Sequence, residues 1–89
     1  MEVYQLVWDA RNVDHIAEHQ VNPSESEEVI YEDAPHYRRG PGDAIYHVYG
    51  QTEAGRYLFV VLRILSQNRG RVVTARDMTG TEKRLYKRV

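Results

Sequence analysis

An α+β fold follows from three observations on this 89-residue chain. The amino-terminal third carries two helix-start signals, at Asp9 and at Asn22-Pro23. The middle carries three apolar runs separated by short turn-rich segments. The end carries a capping box, Thr79 with Glu82. Together they predict a small antiparallel sheet, with strands at about 3–8, 44–49, 56–65 and 70–77. Two amino-terminal helices cover one face and a short helix ends the chain, all within a single domain over 1–89.

Each element has a local cause. In the first strand Tyr4, Leu6 and Trp8 alternate with Val3, Gln5 and Val7, the period-2 pattern of a half-buried strand. Asp9 ends it and caps a helix to about Glu18, with Val13, Ile16, Ala17 and Gln20 as its apolar-facing stripe. Asn22, Pro23 and Glu25 supply the cap, first-position proline and third-position acid of a helix to about Glu32, buried through Val29 and Ile30. Pro35, Gly40, Pro41 and Gly42 break all periodicity, so Ala34 to Asp43 reads as a loop. In the longest strand Leu58, Val60, Leu62 and Ile64 oppose Tyr57, Phe59, Val61 and Arg63. Both faces are largely apolar, which places this strand centrally. In the last helix Leu85, Tyr86 and Val89 share a face.

The charge is sorted along the chain. Residues 1–49 hold ten acids and three bases, whereas residues 50–89 hold nine bases and three acids. A net charge of −1 therefore hides a dipole, and its basic half suits RNA or an acidic protein partner. The chain has no cysteine, which removes disulfides and thiolate metal sites and favours the cytoplasm as the expected compartment. No apolar run approaches the roughly 18 residues of a membrane span. Seven tyrosines are many for this length, and tyrosine is favoured at interfaces.

Three constellations invite chemistry. His15 and His19 have the i, i+4 spacing of helical metal ligands, but no third ligand stands at a diagnostic spacing, so no metal or other cofactor is expected. Arg63, Arg71 and Arg76 lie on strand segments. Lys83 lies on a helix where Lys83/Lys87 and Arg84/Arg88 are repelling like-charge pairs that a bound anion would relieve. In a flat strand Arg71 and Arg76 point to opposite faces, so a shared anion requires a bulge or twist between them. His47, in a strand among arginines and tyrosines, is a candidate for proton transfer, because an ordinary imidazole titrates near neutrality.

The residues also resemble those of the BrnT-like toxins of type II toxin–antitoxin systems. The likeness runs through Trp8-Asp9, Asn12, His15-Ile16, His19, Val21, Pro23, Glu25 and Glu28-Val29. It continues with Gly50, Thr52, Gly55-Arg56, Leu58, Val60-Val61, then Thr74 to Thr79, Glu82 and Tyr86. The resemblance implies a RelE-like fold and a cytoplasmic prokaryotic endoribonuclease that uses no metal. A co-encoded antitoxin protein would silence it, in a heterotetramer or around a toxin homodimer. It also implies that Arg56 and Arg76 contact RNA, that Arg71 stands where many members are basic, and that Tyr86 occupies the family's carboxy-terminal position. His47 is not a family signature and enters from its strand position; with it, the expected catalytic set is His47, Arg56, Arg76 and Tyr86. The expected RNA contacts are Arg56, Arg63, Arg71, Arg76 and Lys83. Ile45 and Gln51 stand where many members carry Arg, and Gln20 where they carry Gly. These departures define the alternative, a catalytically inactive protein-binding module with the same fold.

Overall fold

The computed structural model describes residues 2–32 and 36–88. Its elements, in order, are β1 (Gln5–Leu6), α1 (Ala10–Ala17), α2 (Pro23–Ile30), β2 (His36–Arg39), β3 (Ile45–Gln51), β4 (Tyr57–Ile64), β5 (Arg69–Asp77) and α3 (Gly80–Lys87). The α+β class and the three helices match the expectation, and the sheet differs from it in three respects. It has five strands, in the order β1-β5-β4-β3-β2, and β1 runs parallel to β5, so the sheet is mixed. The first strand is also only two residues long rather than six.

All three helix starts are capped reciprocally. Asp9, Asn22 and Thr79 each accept from the backbone N–H at the third helical position, while Asn12, Glu25 and Glu82 reach back to the cap. Each cap satisfies donors that the first turn leaves free. Asn12 does more, since its buried amide also donates to Val7 O at 2.9 Å and ties α1 to the end of β1. The apolar stripe of α1 is narrower than expected: Ile16 is fully buried and Val13 partly, but Ala17 and Gln20 are exposed. Gln20 sits beyond the helix at φ 58, a left-handed position that costs a glycine nothing.

The core lies between the helices and one face of the sheet. Ile16 from α1 and Val29 from α2 meet Val48, Leu58, Val60, Leu62 and Val72, all fully buried. Each such side chain contributes about 1.5 to 3 kcal/mol relative to exposure. α1 covers β5, and α2 covers β3 and β4. Gly50 permits the last of these contacts, because a Cβ there would fall 2.9 Å from Val29 Cγ1. β4 is the middle strand of the five, as its two apolar faces predict.

The unexpected strand is β2. It forms a hairpin with β3, pairing His36 with Tyr49 and Arg38 with His47, and Gly40 N–H closes it on Ile45 O at 2.8 Å. The loop expected over 34–43 is therefore a strand from 36 to 39 and a turn from 40 to 44, with 34 and 35 outside the described residues. Val89, expected on the buried face of the last helix, also lies outside them.

Candidate nucleic-acid interface

The side chains that alternate with the core residues point to the other face of the sheet, which α1 and α2 leave uncovered. On β4 these are Tyr57, Phe59, Val61 and Arg63. Their neighbours in register are Ile45, His47, Tyr49 and Gln51 on β3 and Arg71, Thr74 and Arg76 on β5. The pairing of β4 with β5 shifts between Val61 and Leu62, which leaves Val73 without an opposite residue. This bulge is the interruption that a flat strand lacked, and it brings Arg71 and Arg76 to the same face.

Phe59 is the centre of that face. The rings of His47 and Tyr49 lie 5.1 and 5.2 Å from its ring, and the Arg76 guanidinium carbon stands 4.3 Å above it. Arg38, reaching across from β2, donates to Tyr49 Oη at 3.1 Å and stands over the same tyrosine ring. Gly40 makes room for the imidazole: a Cβ there would fall 2.8 Å from His47 Nε2 and 2.9 Å from Ile45 Cγ2. At the edge of the face Tyr86 of α3 packs between His36 and Tyr57, at ring distances of 5.0 and 5.9 Å. Lys83 and Lys87 both place their ammonium groups over Tyr57, at 5.8 and 5.0 Å, so their like charges share one electron-rich ring.

The expected arginine cluster does not converge. Arg56 has the parity of Leu58 and points to the helix side, where it binds Asp77 through Nε at 2.7 Å and Glu25 through Nη1 at 3.2 Å. The same guanidinium donates to Gln20 O at 2.6 Å and to His19 O at 3.1 Å, clamping the α1–α2 turn onto the β4–β5 end. Arg71 holds Asp9 in a two-point fork at 2.9 and 3.0 Å, far along the strand from Arg76. Arg63 pairs in register with Arg71 and is exposed, so Asp9 offsets a like-charge pair there. Arg76 stays on the Phe59 cluster, but Glu82 takes both its terminal nitrogens, at 2.8 and 3.1 Å. Of the residues expected to act together, His47 and Arg76 meet around Phe59, while Tyr86 and Lys83 flank Tyr57. Arg63 and Arg71 share that face but stand at its far end, where Arg71 is held by Asp9, and Arg56 lies on the helix side.

The proton affinities follow these pairings. Hydrogen bonds from Arg56 and Arg76 hold the carboxyls of Asp77 and Glu82 below their ordinary range. Burial raises the Tyr86 phenol, and the Glu32 and Tyr57 charges add to it, so Tyr86 is a proton donor rather than a base at neutral pH. Asp9 is lowered from 3.8 to about 2, first by the hydrogen bond from Arg71. A depressed carboxyl stabilises the fold at pH above its unfolded value, and that contribution fades as the pH falls towards the folded value. The urea midpoint should therefore fall between about pH 4 and pH 2 more steeply in the native chain than in Asp9→Asn, which keeps the helix cap and loses the charge. Parallel midpoint curves for the two proteins would remove the Asp9–Arg71 fork from the account of acid stability.

His15 lies 3.4 Å from Glu18, on an exposed helix face. Among the described residues no group of three or more His, Asp or Glu is placed to hold a metal ion. Sequence reasoning missed Arg38, His36 and the structural half of Tyr49's role, because Gly40-Pro41-Gly42 hid the short strand before it.

No protein-family model matches this chain, and no curated protein does. No helix among the described residues is long and apolar enough to cross a membrane.

Proposed function

We propose that the chain is a metal-independent endoribonuclease of the toxin type, with its RNA laid over the uncovered sheet face and an antitoxin protein blocking that face. One observation carries this reading: an imidazole, a phenol and a guanidinium, from His47, Tyr49 and Arg76, are grouped around Phe59, and a second guanidinium, Arg38, is bonded to that Tyr49. RNA supplies its own nucleophile, so the protein's tasks are to move protons and to hold added negative charge.

His47 takes the proton from a ribose 2′-hydroxyl as its oxygen bonds to the adjacent phosphorus. Arg38 hydrogen-bonds the phosphate oxygens as their charge rises. Arg76 adds a weaker field, since Glu82 offsets much of its charge. The bond to the 5′-oxygen breaks, that oxygen receives a proton from a tyrosine hydroxyl, and the products are a 2′,3′-cyclic phosphate and a 5′-hydroxyl. Tyr49 is placed for this donation through its bond to Arg38, and Tyr86 lies further out, beside the path of the chain. In this reading Arg56 and Arg71 hold the fold and have no part in the chemistry.

The carboxylate pairing of Arg56, Arg71 and Arg76 favours a second reading, a binding module with the same fold and no catalysis. Controlled expression of the chain without any partner separates the two. The nuclease arrests growth and leaves RNA fragments with cyclic phosphate ends. Normal growth with intact RNA, at a protein level confirmed by immunoblot, sinks the catalytic reading and leaves the module.

A further inference from the structure

Beside the Phe59 cluster the face deepens into a groove of about 430 Å³ between the β2–β3 hairpin and α3, lined by His36, Arg38, Tyr49, Glu82, Leu85 and Tyr86. We infer that this groove is a nucleobase site, which takes one unstacked base of a single-stranded RNA whose backbone crosses His47 and Arg38. The inference rests on the RNA-binding reading above and adds which part of the substrate is held, and where.

Four features support it. The volume falls within the range of roughly 300 to 1,000 Å³ typical of small-ligand sites, so a nucleoside fits without rearrangement. Its walls are largely rings, with Tyr49 on β3, His36 on β2 and Tyr86 on α3, and single-stranded RNA is read by stacking its bases on such side chains. Leu85 is 56% exposed at the mouth, an apolar side chain that no other element of the described structure covers. The rim suits a polyanion: Arg38 forms one wall, and Lys83 and Lys87 lie just beyond Tyr86 over Tyr57.

The acidic lining residue, Glu82, is no obstacle. Its Oε1 accepts from Arg76 Nη1 and from Thr79 N–H, and its Oε2 accepts from Arg76 Nη2, so its charge is compensated. Oε2 keeps a lone pair that accepts an N–H from the edge of a base. Purines stack over more area than pyrimidines and bind more tightly here.

The test uses the full chain labelled with nitrogen-15. AMP, GMP, CMP and UMP are titrated one at a time, with ribose 5-phosphate as the baseless control. The nucleotides should shift the amides of 36, 38, 49, 85 and 86, and ribose 5-phosphate should bind at least about tenfold more weakly, since stacking supplies a factor of that order. Leu85→Gln, an exposed and uncharged change on a helix that leaves the core intact, should strongly weaken the nucleotide binding that causes those shifts while the remainder of the spectrum stays native. The same variant should weaken binding of a short single-stranded RNA about tenfold, and should bind an abasic oligonucleotide as the parent does.

Equal binding of ribose 5-phosphate and nucleotides, or nucleotide shifts confined to other residues, overturns the base site even if RNA still binds. That result would leave the groove to a protein partner. Nucleotides that shift the groove while no single-stranded RNA binds would overturn the RNA-binding reading and leave a nucleotide site.

Discussion

Replacing Arg56 by Met lowers the unfolding free energy by about 2 to 4 kcal/mol, because one guanidinium organises four acceptors that come from three parts of the chain. Its Nε holds Asp77 at the end of β5, its Nη1 holds Glu25 and Gln20 O, and its Nη2 holds His19 O. The side chain is 25% exposed, so water replaces these bonds only in part. Methionine keeps the stem and leaves two carbonyls and two carboxylates without their donor. For a domain of this size the change amounts to a fall in Tm of roughly 10 to 25 °C. Arg63→Met, at an exposed position, should stay within about 0.5 kcal/mol of the parent. Thermal melts of both variants decide the matter. An unchanged Tm in Arg56→Met together with lost RNA binding would return Arg56 to the functional role that the sequence reading gave it.

Replacing His47 by Gln should lower RNA cleavage by about 10² to 10⁴, the span that a general base contributes, and leave the melting temperature close to that of the parent. The imidazole packs on Phe59 above Gly40, a contact that an amide of similar length retains in part. Arg71→Gln is the matching control: its guanidinium is committed to Asp9, so cleavage should persist while stability falls at neutral pH and its decline between about pH 4 and pH 2 flattens. Equal cleavage rates in the parent and His47→Gln, with His47→Gln folded, would move the base to another group.

The local signals were legible in the sequence to the extent that their causes are local. Asp9, Asn22 and Thr79 cap the helices they predict, since a cap and its partner lie within four residues of each other. The alternation of Leu58, Val60 and Leu62 gave a central strand with a buried face, which depends only on the pleat. The parallel pairing of β1 was not legible, because a two-residue strand takes its direction from its partner rather than from its own pattern. β2 was obscured by its turn: two prolines and two glycines within eight residues read as loop, whether or not a short strand precedes them.

The candidate site divides in the same way. Composition and order gave a basic carboxy-terminal half, and the parity of β3 put His47 with Tyr49. Which arginines remain open to a ligand was a tertiary matter. Arg56, Arg71 and Arg76 look alike as residues, yet their carboxylate partners lie 21 and 31, 62 and 6 positions away. Coulomb attraction acts through space, and the packing of α1 and α2 on the sheet settles the acids that Arg56 and Arg71 meet, while α3 brings Glu82 to Arg76. The chain alone therefore determined the elements, their caps and a surplus of positive charge in its second half. The fold decided where that surplus is neutralised, at the α1–α2 clamp and the β5 edge, and where rings and cations gather, around Phe59 and beside Tyr86.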